Sequence, residues 1–129
     1  MHRWSIKYLC LGVAALHGYD LVLYADGVLF DRLEDLSDWL EDQAANNRNE
    51  IGAASVEYLH LFGYVAYAYM WSRMAATAQA SQAQEPAFYD AKLATARFYF
   101  DRMLPRVLSL QASIRAGSAS LYTLAAEQF

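Results

Sequence analysis

Apolar residues recur along this chain at steps of three and four, and the pattern resolves into four helical segments, over about 3–24, 28–46, 50–80 and 86–116. In the first, Trp4, Tyr8, Leu11, Ala15, Tyr19 and Val22 share one face, and Gly18 is its weak point because a mid-helix glycine costs about 1 kcal/mol. In the second, Leu29, Leu33, Leu36 and Leu40 make a buried stripe, while Glu34, Asp35, Asp38, Glu41 and Asp42 take the rest of the surface. Asp26-Gly27 predicts a turn before this helix. Asn46-Asn47-Arg48-Asn49 predicts one after it, with an asparagine in the left-handed closing position.

The third segment is apolar most of the way round, as expected of a helix at the centre of a bundle. Tyr58, Phe62, Val65 and Tyr69 form one stripe and Leu59, Ala66 and Met70 another, with Gly63, Ala66 and Ala68 small enough to admit a close neighbour. The fourth opens on Pro86, whose missing N–H costs nothing in a first helical turn. Tyr89, Leu93, Ala96, Phe100, Met103, Val107, Leu110 and Ile114 then alternate steps of four and three, a heptad-like seam. Pro105 predicts a kink within it, and Gly117 a C-terminal stop. Leu121, Tyr122, Leu124 and Phe129 form an apolar tail that must rest on something.

Short connections predict an all-α, up-down-up-down four-helix bundle in a single domain over 1–129, with two longer C-terminal helices. At 1.5 Å per residue the last two helices span about 45 Å and the first two about 30 Å. The ends near 72–94 then project past the first hairpin. They carry the candidate interface residues Trp71, Met74, Phe88 and Tyr89, to which Phe129 of the tail is added.

Composition adds a reason to look for an interface. Hydrophobic residues are 57% and charged residues 19% of the chain, below the usual ~25% charged. More than an internal core therefore needs cover, either tight packing or a partner. A formal net charge of −4 argues against a nucleic-acid footprint. The charge is uneven: residues 26–46 hold seven acids against Arg32, whereas Lys92, Arg97, Arg102, Arg106 and Arg115 face only Asp101 within 91–116. Mutual complementarity between helices of one bundle is the plainer expectation, and an acidic partner or phosphate-bearing ligand the sharper one.

Cys10 is the one cysteine, which excludes a disulfide framework and a cysteine zinc site, and fits a cytoplasmic location. Met1 to Leu16 has the outline of a signal peptide, but His17, Gly18 and Asp20 break the apolar run, and Ala25-Asp26-Gly27 is a poor cleavage site. The uncharged run Tyr58 to Ser72 falls short of the ~18–20 residues of a membrane span. Trp4, Lys7 and Tyr8 leave attachment of helix one to a membrane surface as a minor alternative.

No catalytic set stands out. Glu57-Tyr58-Leu59-His60 matches Glu-x-x-His, half of a di-iron carboxylate motif, but no second half exists, and a local polar contact between Glu57 and His60 is expected instead. His17 and His60 lack spacing for haem or metal. There is no phosphate loop and no nucleophile elbow.

Ser55-Val56-Glu57-Tyr58-Leu59-His60-Leu61-Phe62-Gly63, followed by Phe88 to Tyr99, Met103-Leu104-Pro105 and the closing Ala116-Gly117, resembles the C-terminal helical extension of bacterial acyl-CoA dehydrogenases of the methylthiopropanoyl-CoA dehydrogenase type. The resemblance covers about 50–129; residues 28–49 match only as a generic amphipathic helix, and 1–27 stand outside it. In that family the flavin, the acyl-CoA and the catalytic glutamate belong to a separate upstream body. The resemblance thus implies FAD only for a full-length relative, and it carries no catalytic, cofactor or metal residue onto this chain. It implies a non-catalytic accessory module acting by self-association or by docking on a dehydrogenase body. The alternative is a small bundle that holds an apolar or acyl ligand between helices three and four, near Phe62 and Phe100.

Overall fold

The computed structural model describes residues 24–129, which form three helical rods and, among the described residues, no strand. The expected helix over 3–24, and with it the four-helix up-down arrangement, lies outside them. The first rod opens with a π-helical turn, Tyr24–Leu29, and continues as α1, Phe30–Asn46. The second is α2, Asn49–Ser81. The third comprises α3, Pro86–Phe98, a π-helical turn, Tyr99–Met103, and α4, Arg106–Arg115. Two short 3₁₀ turns, Ala119–Tyr122 and Ala126–Gln128, follow.

Local chemistry explains these bounds, with two departures from expectation. Asp26-Gly27 does not turn the chain. Gly27 keeps a negative φ, and the helix winds through it. At the α1–α2 connection no asparagine is left-handed; Asn47 is extended, and its side-chain oxygen accepts the Asn49 N–H at 3.2 Å. Such a side-chain cap satisfies a donor that the first helical turn leaves open. Ahead of Pro105 the preceding turn is widened into a π-helical one. The proline supplies no N–H, and the Leu104 N–H reaches back five residues to the Tyr99 carbonyl at 3.0 Å.

The helix α2 lies between the other two rods. On one side the Ser37 and Tyr58 hydroxyls are 2.6 Å apart, and the Phe30 ring meets the Tyr69 ring edge-on at 5.9 Å, so α1 runs antiparallel to α2. On the other side Tyr99 donates its hydroxyl proton to the Tyr64 carbonyl at 2.7 Å, while Ser118 reaches Glu50, so the third rod is antiparallel too. The Arg115 guanidinium lies 5.0 Å from the centre of the Trp39 ring, joining the third rod to α1 and completing a triangle. Leu33 and Leu36, Leu61 and Val65, and Phe100, Leu104 and Val107 fill its interior. Every position of the heptad seam is buried or half-buried. The π-helical turn adds Tyr99, and Leu104 follows directly after it; both are buried and lie off the seam.

The two faces of α2 are both apolar and differ in size. Its buried face is mainly Ala54, Ala68, Ser72, Ala75 and Ala78, with Leu61 and Val65 over the core. Its outward face carries Val56, Leu59, Phe62, Tyr67 and Met70. Of the small residues expected to admit a neighbour, Ala68 does so and is fully buried, whereas Ala66 is exposed and a Cβ on Gly63 would meet open space. Gly52 is equally unobstructed within α2. Gly52→Ala should therefore raise the unfolding free energy by about 0.5–1 kcal/mol through helix propensity alone, measurable as a shifted urea midpoint at constant slope.

A polar clasp closes the proximal end. Glu50 accepts the Ser118 backbone N–H at 3.0 Å and its hydroxyl at 2.6 Å, and Asn47 donates to both Glu50 and Ser118, at 3.1 and 3.0 Å. Gly117 makes this turn possible: its φ is +74°, and a Cβ there would stand 3.2 Å from the Glu50 carboxylate. The tail beyond it does not rest on the bundle as expected. Leu121, Tyr122 and Leu124 are exposed, and Phe129 is 94% exposed.

Candidate functional site

The outward side of α2 presents one apolar face with a groove on each shoulder. The larger groove, about 510 Å³, runs between α2 and the π-helical turn of the third rod, lined by Leu59, His60, Gly63, Tyr64, Tyr67, Trp71, Tyr99 and Met103. Gly63 forms its floor because it brings no side chain. Trp71 stacks on Tyr99 with ring centres 6.4 Å apart, and Tyr67 tilts against Tyr99 at 6.5 Å. A second groove of about 290 Å³ lies toward the distal end, between Met70, Met74 and Ala78 of α2 and Phe88, Tyr89 and Lys92 of α3. A third of about 270 Å³ lies on the α1 shoulder, where Ser37, Leu40 and Glu41 meet Ile51 and Tyr58.

Three of the candidate interface residues, Met74, Phe88 and Tyr89, thus meet in the distal groove. Trp71 belongs to the neighbouring larger one, and Phe129 to neither. Phe100 is 1% exposed in the core, and Phe62 stands on the outward face; neither lines these grooves. The groove between helices three and four of the sequence reading is therefore built from Tyr99 and Met103. Tyr99 was missed because it falls off the heptad seam and is brought in only by the π-helical turn.

The titratable groups here do not assemble into a reactive set. His60 is exposed and makes no hydrogen bond with Glu57, so the expected local polar contact is not formed. Among the described residues no group of His, Cys, Asp or Glu could hold a metal ion. Burial, with smaller contributions from Tyr64 and Tyr67, pushes the Tyr99 phenol well above its ordinary value of 10.0. The unfolded chain then gives up this proton before the folded one does. Stability should be flat below that value and fall as pH rises through it. Urea midpoints recorded between about pH 8 and about pH 11 should show the fall, and Tyr99→Phe should flatten it.

Charge is also arranged differently from the plainer expectation. The acids of α1 are exposed, and none pairs with Arg97, Arg102, Arg106 or Arg115; Arg106 instead donates to the Tyr64 hydroxyl at 3.2 Å, and Arg115 lies over Trp39. The opposite charges therefore flank α2 on its two shoulders and do not neutralise one another.

The family model described as acetyl-CoA dehydrogenase C-terminal like matches residues 27–125. The chain belongs to that family. No curated protein and no solved structure matches it. The match takes in α1, so the acidic helix is part of the acetyl-CoA dehydrogenase C-terminal-like module and not a generic addition. Gly52 and Gly63 lie inside α2, and the turn at Gly117 is occupied by the Glu50 carboxylate. No described helix is long and apolar enough to cross a membrane.

Proposed function

We propose that this chain is a non-catalytic accessory module of the acyl-CoA dehydrogenase kind, of the methylthiopropanoyl-CoA type, acting through the outward face of α2 as a docking or self-association surface. The observation that carries this reading is that face. Leu59 is 67% and Tyr67 64% exposed, Val56, Phe62 and Met70 at least half so, and no charge interrupts Tyr58 to Ser72. Apolar surface of this extent on the central helix of a domain marks a contact. Family membership supports a dehydrogenase body or another copy of the module as the partner.

The test is direct. Purified chain should neither retain FAD nor oxidise acyl-CoA, and should be captured by a dehydrogenase body from which the C-terminal module has been removed, or by itself. Leu59→Arg should abolish capture without changing the helical circular dichroism. Stoichiometric FAD with acyl-CoA oxidation by the chain alone, or unchanged capture by the variant, would overturn the reading.

The larger groove favours one second reading. About 510 Å³ of mostly apolar space is within the range of small-ligand sites, so an apolar or acyl chain could lie along Gly63 between Tyr67 and Met103. Binding of a saturated fatty acid that quenches Trp71 fluorescence, and that Gly63→Leu prevents, would establish it.

A further inference from the structure

The outward face of α2 has a repeat of its own. Val56, Leu59, Gly63, Ala66 and Met70 follow one another at steps of three, four, three and four, the spacing of a helix-pairing seam. It lies on the side of α2 away from the buried Val65 and Ala68. The residues at its middle, Gly63 and Ala66, are small; the large side chains Tyr67 and Phe62 stand on its shoulders. We propose, resting on the interaction reading above, that this seam pairs with the same seam of a second copy, the two α2 helices running parallel about a twofold axis along their length.

Two observations select this occupant. The first is area. Val56, Leu59, Phe62, Tyr67 and Met70 leave on the order of 500 Å² bare, at the upper end for an ordinary monomer. Two such faces together reach about 1,000 Å², the lower bound of a specific interface. The second is charge. The α1 shoulder is acidic, with Glu41 in its groove and Glu34 and Asp38 exposed beside it. The other shoulder is basic, with Arg106 on Tyr64 and Lys92 in the distal groove.

A twofold axis along α2 sets the acidic shoulder of each copy beside the basic shoulder of the other, and does so twice. An antiparallel pair would instead oppose α1 to α1 and acid to acid. Charges at such a rim mainly steer and orient the contact, with the apolar seam supplying the affinity. Among the described residues none of these acids pairs with one of these bases.

The experiment uses the full chain. Light scattering after gel filtration should give twice the chain mass. Leu59→Arg, at an exposed site, should weaken dimerisation at least tenfold with unchanged circular dichroism, and should remove the concentration dependence of the melting temperature. Orientation is read from single cysteines placed in a Cys10→Ser background. In a parallel pair each seam position faces itself, so Val56→Cys and Met70→Cys should each form an intermolecular disulfide alone. A disulfide only when the two variants are mixed would show an antiparallel pair and overturn the proposal, as would a monomer at every concentration. A chain that is monomeric yet captured by a dehydrogenase body through Leu59 would overturn this inference and leave the docking function standing. A monomer that captures nothing would overturn both.

Discussion

Phe100→Ala should destabilise the protein by about 3–5 kcal/mol, the usual result of emptying a large core site that its surroundings cannot refill. Phe100 is 1% exposed, belongs to the same buried cluster as Leu29, Leu36 and Val65 from the other two rods, and meets Tyr99 edge-on at 5.9 Å. The neighbouring positions cannot collapse into the space easily. On α2 the backbone is already held close by Ala68, and on the third rod the π-helical turn is fixed by Pro105 one turn away. With total stabilities of small domains at about 5–15 kcal/mol, a loss of this size consumes a third or more of the margin. Urea denaturation followed by circular dichroism is the measurement, and Phe100→Leu, which keeps most of the volume, should lose markedly less. A loss below about 1 kcal/mol for the alanine variant would mean that the three rods do not share one interior.

The second large effect concerns the clasp. Glu50→Ala should cost about 2–3 kcal/mol, since hydrogen bonds to a charged group contribute about 1.5–3 kcal/mol and their loss strands the remaining partners. The partner that suffers is Ser118. It is 2% exposed and gives both its N–H and its hydroxyl to the one carboxylate. The favourable position of Glu50 in the first turn of α2 is lost as well. Glu50→Gln keeps one acceptor and should recover part of the loss. A double-mutant cycle between Glu50→Ala and Ser118→Ala should show coupling through the hydroxyl–carboxylate bond, which either change removes, whereas the Ser118 N–H bond is lost only with Glu50. Strict additivity of the two losses would show that the clasp does not exist in solution.

These two sites differ in how far the sequence disclosed them. Phe100 sits on an unbroken step pattern from Tyr89 to Ile114, so periodicity alone marks it as interior. The same holds for Leu33 and Leu36, whose acidic neighbours define the outer side of α1. The clasp leaves almost no such trace: Glu50 and Ser118 are 68 positions apart, and only Gly117 hints that something tight happens there. Tyr99 is hidden for another reason, because helical periodicity assumes 3.6 residues per turn and the π-helical turn does not keep it.

The candidate surface was legible in kind but not in place. An apolar surplus pointed to tight packing or to a partner, and the reading put the candidate contact on the projecting end near Trp71, Met74, Phe88 and Tyr89. Three of those residues do meet there. The broader bare area is on α2 itself, at Val56, Leu59 and Tyr67, where a helix apolar all round gives no signal of which side is turned outward. The inter-helix charge balance failed for a topological reason: α2 stands between the acidic and basic rods along most of their length.

What orients α2, then, is not polarity. Over its distal half the helix turns Ala68, Ser72, Ala75 and Ala78 inward and Tyr67, Met70 and Met74 outward, so its two sides there are sorted by volume. A hydropathy profile would score the helix and the same helix rotated by half a turn almost alike, whereas a profile of side-chain size would separate them at once. For proteins built on this plan, descent with change should be tracked by where alanine is kept small, since enlarging Ala68 or Ala75 disturbs the triangle more than making Leu59 or Met70 polar.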